Sequence, residues 1–183
     1  MSHLHRVHAT QLMSLGLPRG QNYLVAADPA WFAFFEEERE RLRSVLPSGA
    51  LEIRHVGSTA VPGLRAKPII DIAIAARDHR LADQWQEAMA SLGYDYPGDI
   101  GVPDHRIYGR DRDVRRFLVH VVDASGPRWR EFLRFRDLLR TDADVAAAYE
   151  AMKLEAAKRH PTGPRSDYTT AKAQFIERAL AGA

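Results

Sequence analysis

Two stretches of this sequence carry groups that could do chemistry. One is the turn Gly57-Ser58-Thr59, and the other is Asp71, a carboxylate set among Ile69, Ile70, Ile72 and Ile74. Gly57 permits a sharp turn because it has no Cβ, and Ser58 adds a hydroxyl and a backbone N–H, so the turn can hold phosphate. Asp71 lies in a β-branched run that reads as a buried strand. Desolvating an unpaired carboxylate is costly, so such a residue needs a partner, a metal ion or a cage of hydrogen bonds. Alternation puts Ile70, Ile72 and Ile74 on one face and Ile69, Asp71, Ala73 and Ala75 on the other. This pattern leaves open whether Asp71 is a site residue or the partner of Lys67 or an arginine in a structural ion pair.

The elements that must position these groups are legible in outline. Asp28-Pro29 starts a helix that carries Trp31, Phe35, Leu42 and Leu46 and ends at Pro47-Ser48-Gly49. A strand over 51–56 delivers the turn, and a second over 69–76 carries Asp71, so both parts of the site come from one hairpin-like unit. Asp78 caps a predicted helix with Leu81, Trp85, Met89 and Leu92, stopped by Gly93. The run 94–104 is rich in Gly, Pro and Asp and reads as a loop, with Asp99 and Asp104 as solvated acids. Strands over 105–108 and 115–122 form a further hairpin, and on the second of them Arg116, Leu118, His120 and Val122 share a face. His120 therefore reads either as a neighbour of Asp71 or as a core histidine. Gly126-Pro127 opens a helix with Trp129, Phe132, Leu133, Arg136 and Leu139, and Asp142 opens another. The pairs Tyr149/Lys153 and Tyr168/Lys172 each set a ring and an ammonium on one helix face.

The stretch HVGSTAVPGLRAKPIIDI resembles the core motif of the GrpB family, proteins assigned to the nucleotidyltransferase superfamily fold. Asp28-Pro29-Ala30-Trp31, WREFLRFRDLLR, Tyr149 with Lys153, and Tyr168 with Lys172 extend the likeness over residues 25–178. The resemblance implies an α/β (α+β) nucleotidyltransferase-like fold, a short mixed sheet flanked by helices. It also implies a nucleotide or other phosphorylated small molecule as ligand, Mg²⁺ as cofactor and Asp71 as the metal-holding, catalytic carboxylate. Gly57, Ser58 and Thr59 would hold phosphate, with Lys67, Arg116, His120, Lys153 and Lys172 as further candidate contacts. The chain departs from the pattern at Ala73, where the superfamily places a second carboxylate, and at Leu118, where the family's strand reads His-Leu-His. Two function classes follow. One is nucleotidyl transfer to a small acceptor, and the other is non-catalytic binding of a nucleotide or phosphate ligand by a chain with a degraded metal dyad. Family members occur fused to dephospho-coenzyme A kinase, which implies a link to a coenzyme A biosynthesis enzyme.

Length and composition narrow the class. The 183 residues fit one domain, expected over 21–183 with an arm over 1–20. His3, His5 and His8 in that arm share no helical face and read as a loosely docked segment rather than a metal site. No apolar run reaches the roughly 20 residues of a membrane helix, and no signal-peptide core opens the chain, so the expectation is a cytoplasmic protein. The absence of cysteine excludes disulfides and thiolate metal sites. A net charge of +2 arises from scattered arginines rather than a basic block, so nucleic acid is not implied.

Overall fold

In a computed structural model of the chain, the residues described are 15–96, 104–162 and 166–182, the side chains of 166–168 excepted. Five strands form a mixed sheet in the order β2 (Ala50–Val56), β3 (Ile70–Ala76), β7 (Phe117–Asp123), β5 (His105–Arg110), β4 (Tyr94–Asp95). Here β3 and β7 run parallel and every other neighbouring pair antiparallel. Two short strands, β1 (Leu17–Pro18) and β6 (Val114–Arg115), pair separately. The helices are α1 (Ala30–Val45), α2 (Gln86–Ser91), α3 (Pro127–Thr141), α4 (Ala143–Arg159) and α5 (Ser166–Ala181). This is the mixed α/β architecture expected from the sequence, a short mixed sheet flanked by helices. Among the described residues no helix is long and apolar enough to cross a membrane.

The alternation in β3 sorts its side chains as expected. Ile70, Ile72 and Ile74 pack with Trp31, Phe35 and Leu42 of α1 in the main core, each buried aliphatic side chain contributing about 1.5–3 kcal/mol. On the other face Ala73 and Ala75 pack with Val56, Val122 and Trp129 of α3. A third cluster joins Val61 and Leu64 to Phe135, Leu139 and Tyr149, with Phe175 and Ile176 of α5 against it. The small residues of β3 thus let α3 approach the sheet, and α4 and α5 close over the end that carries Asp71.

Several boundaries differ from the expectation. Leu15 and Leu17, inside the segment read as an arm, are buried, while residues 1–14, including His3, His5 and His8, lie outside the described residues, as does Asp99. The segment after Asp78 is a 3₁₀ helix, His79–Gln84, followed by the short α2. Asp78 does cap it, accepting a hydrogen bond from the N–H of Arg80 at 2.9 Å. Tyr94 and Asp95 are an edge strand rather than loop. The strand expected over 115–122 breaks at Arg116, because Val114–Arg115 pairs with β1 while β7 enters the main sheet.

Candidate functional site

The β2–β3 register sets Val56 opposite Asp71, which brings the turn after β2 against the carboxylate at the start of β3. Gly57 has φ 70° and ψ −170°, a region only glycine populates readily. A Cβ built there would lie 2.6 Å from Asp71 Oδ2. Glycine is therefore needed both for the backbone and for the close approach of the carboxylate.

Behind the turn, the Thr59 hydroxyl donates to the carbonyl of Ile69 at 3.3 Å, and His55 Nε2 lies 3.0 Å from the same hydroxyl oxygen. With its one hydrogen spent on Ile69, Thr59 accepts from His55, so Nε2 carries the imidazole proton. The His55 ring stacks on Phe35 with centroids 4.8 Å apart, and burial drives its pKa down to about 3, with nearby Asp71 opposing the shift. The unfolded chain protonates His55 below about pH 6.5 and the folded chain does not, so stability is lost as pH falls from about 6.5 toward 3. This loss is on the order of 4 kcal/mol. Urea titrations between about pH 4.5 and pH 8, above the usual midpoints of carboxylate titration, should show an acid-limb slope that His55→Gln, a non-titrating replacement, reduces.

The lysines converge on the turn from two sides. Lys153 of α4 is 1% exposed, and its Nζ donates to Ser58 Oγ at 3.1 Å and to the Arg65 carbonyl at 2.5 Å. It also sits 4.7 Å from the ring centre of Tyr149, the i−4 neighbour foreseen from the helical spacing. It is buried rather than held at the rim of the core. Burial, reinforced by the charge of Lys172 and opposed by Glu150, pushes its pKa down to about 7. Lys172 lines the same cleft, while Tyr168, its expected helix partner, has a side chain outside the described residues. Lys67 donates to Asn22 Oδ1 at 2.8 Å, a partner other than the Asp71 carboxylate that its sequence position suggested. Arg116 stands apart, in an ion pair with Asp111 at 3.3 Å.

Asp71 keeps a quarter of its side chain exposed, with His120 Nε2 3.5 Å from Oδ1. Burial opposes its ionisation, but the hydrogen bond and charge of His120, with Lys172 and His55, outweigh that and hold its carboxyl below the usual range. Ala73, where the superfamily pattern has a carboxylate, is fully buried in the Trp129 cluster. Ala73→Asp should therefore destabilise the protein by about 2–3 kcal/mol without raising metal affinity. Melts and Mn²⁺ titrations decide this, and recovery of melting temperature on adding metal would contradict it.

Ser58, Thr59, Lys67, Asp71, Tyr149 and Lys172 line one cleft of about 170 Å³. Lys153 borders it through Ser58, and His120 through Asp71. Residue patterns did not single out Arg136 and Arg140 of α3 as a pair acting on the turn. Arg140 grips the Ala60 carbonyl with two N–H groups at 3.0 and 2.7 Å, and Arg136 holds the His55 carbonyl at 3.2 Å. Their i,i+4 spacing was the available signal. At the far end of β3, Asp78, His79 and Asp123 form a group whose ligand atoms lie within 4.8 Å of one another and could hold a metal ion. Those carboxylates already accept from Arg80 and from both the backbone and ring of His79.

The family described as GrpB protein matches residues 22–181. The chain is 32% identical to the UPF0157 protein YqkA of Bacillus subtilis over 88% of its own length and spans about half, 47%, of that relative. It is 30% identical to a dephospho-CoA kinase of Mycolicibacterium paratuberculosis, over 82% of this chain and 43% of that protein. The crystal structure of the conserved protein GrpB from Enterococcus faecalis superposes with a TM-score of 0.73 at 27% identity, covering 86% of this chain and 99% of that one. The poly(U) polymerase Cid1, solved bound to MgATP, reaches a TM-score of 0.50 at 16% identity over 86% of this chain and 49% of that one, a likeness of fold alone.

Proposed function

The chain belongs to the GrpB family, and from that premise and the geometry of the cleft we propose that it binds a nucleotide by its phosphates and transfers the nucleotidyl group to a small acceptor. The observation that carries this reading is the meeting of the Gly57-Ser58 turn, Lys67, Lys172 and the ionised Asp71 in one cleft. Ser58 and the lysines would neutralise and position phosphate oxygens, and positioning with electrostatics is most of what phosphoryl chemistry asks of a protein. Asp71 fits a Mg²⁺ ion that takes one protein carboxylate and fills its shell with water and phosphate oxygens. When bound, that ion would neutralise charge on the phosphates. In the overall reaction the acceptor's oxygen or nitrogen bonds to the α-phosphorus, the bond to the bridging oxygen breaks, pyrophosphate leaves with its electron pair, and the acceptor's proton passes to water.

A second reading is non-catalytic binding of a nucleotide or other phosphorylated ligand, and the burial of Ala73 favours it. The relation to a dephospho-CoA kinase supports, within that reading, a role beside an enzyme of coenzyme A biosynthesis. Calorimetric titration of the whole chain with a non-hydrolysable ATP analogue and Mg²⁺, paired with an assay for pyrophosphate release from ATP, tests both. No binding of the analogue or of the other nucleoside triphosphates ends the first reading and, if inorganic phosphate and phosphate monoesters also fail to bind, the second; binding without pyrophosphate release across a panel of alcohols and amines ends the first alone.

Lys153 gives this binding a pH signature. A phosphate beside Ser58 stabilises the charged ammonium, so binding draws a proton onto Lys153 above about pH 7. Affinity for the ATP analogue should be level below about pH 7 and fall roughly tenfold by about pH 8.5. Lys153→Met should flatten that profile.

A further inference from the structure

A second cavity, of about 140 Å³, meets the phosphate cleft along a shared wall of Asp71, Leu118, Tyr149 and Lys172. Its body is apolar, built from Val56, Phe132, Phe135 and Ile176, and its polar lining adds His120 and Glu131. We propose that this cavity is the acceptor subsite, and that it takes a small, mainly apolar molecule bearing a hydroxyl or amino group directed at Asp71. The proposal rests on the nucleotidyl-transfer reading and supplies its missing substrate class.

Three observations select that chemistry. First, the apolar wall is continuous with packed core. Phe132 faces the His120 ring at 5.2 Å, and Phe135 sits edge-on to Tyr149 at 5.0 Å. A polar body, such as a sugar, would leave its hydroxyls unpaired against these rings. Second, the groups at the shared wall favour a hydrogen-bond donor. Asp71 is held ionised and can only accept, and Glu131, itself paired with Arg128 at 2.8 Å, adds a second carboxylate to the lining. An anionic acceptor would face both carboxylates, with Lys172 as the lining's counter-charge. Third, the position fits the reaction. The two cavities share Asp71 in their walls, so a group hydrogen-bonded to Asp71 from this side would be a neighbour of phosphates held at Ser58 and Lys67.

The test uses simple probes on the full chain. Benzyl alcohol and benzylamine should show saturation-transfer NMR signals with millimolar affinity, and benzoate should bind at least tenfold more weakly. Ile176→Trp and, independently, Phe132→Trp fill the cavity with an apolar ring and should each reduce alcohol binding at least tenfold, while the Mg²⁺–ATP-analogue affinity of Ile176→Trp stays within twofold of the parent. Pyrophosphate release from ATP should be stimulated by benzyl alcohol in the parent and not in the filled variants. Benzoate binding as tightly as the alcohol, alcohol binding undiminished in both filled variants, or absence of alcohol binding while the ATP analogue still binds overturns the acceptor subsite and leaves the nucleotide reading standing. Alcohol binding without any nucleotide binding overturns the nucleotide reading, and with it the identification of this cavity as an acceptor site.

Discussion

Asp71→Asn is expected to abolish the Mg²⁺-dependent part of nucleotide affinity, a loss of roughly 100-fold or about 2.7 kcal/mol, while changing stability by less than about 1 kcal/mol. Asp71 is the one carboxylate among the described residues that line the cleft beside Ser58, so on the nucleotide reading its neutralisation removes the anchor that the cleft would offer a cation. The small stability cost follows from opposing terms. Burial penalises the anion and His120 and Lys172 stabilise it, and asparagine keeps the shape and can still accept from His120 through its amide oxygen. The sign without metal is the reverse, because Asp71 repels phosphates when no cation intervenes. The Asp71→Asn variant should therefore bind metal-free ATP analogue slightly more tightly than the parent. Calorimetry with and without Mg²⁺, alongside chemical denaturation, reads both quantities. A stability loss of several kcal/mol with nucleotide affinity untouched would mean that Asp71 and His120 are a structural pair and not a cation site.

Gly57→Ala should be the most damaging single methyl that can be added to this protein's site, costing about 4 kcal/mol and eliminating nucleotide binding. The backbone at φ 70° and ψ −170° accounts for about 1–3 kcal/mol of that, and steric overlap for the rest. The added Cβ would lie 2.6 Å from Asp71 Oδ2 and 3.0 Å from Asp71 Cβ, and neither can retreat easily, since Ile70 and Ile72 on either side are fully buried. A control separates the two costs. In an Asp71→Gly background the carboxylate and its Cβ are gone, so Gly57→Ala should cost only the backbone part, and the two substitutions should fail to add by about 2 kcal/mol. Equilibrium urea unfolding of the parent, the two single variants and the double variant measures this coupling. Additive behaviour would show that the turn and the carboxylate are not in contact in solution.

The apolar sorting of β3 was legible in advance because it follows from a two-residue period: Ile70, Ile72 and Ile74 had to share a face, and they share the α1 core. The turn at Gly57 was legible because glycine has few competing reasons to stand between a strand and a Ser-Thr pair. The same local logic failed after Asp78, where helical spacing over 81–92 became a 3₁₀ helix and a short α-helix. A cap and a period fix where a helical segment starts, but packing on the sheet decides how tightly it winds. It failed at Arg116 too, since a strand's continuity depends on which neighbour offers it hydrogen bonds, and here the partner changes from β1 to β3 and β5.

For the site, local sequence determined which groups could act: a hydroxyl turn, an isolated carboxylate in an apolar strand, and lysines spaced four from tyrosines. Only the tertiary structure decided which of them meet. It set Lys153 under Ser58 from 95 residues away, left Arg116 on Asp111, sealed Ala73 beneath Trp129 and brought α3, α4 and α5 together to enclose an apolar cavity beside Asp71. The physical reason is range. Dihedral preference, capping and alternation act over a few residues and can be read along the chain, whereas burial, charge proximity and the enclosure of a cavity depend on which distant segments pack together.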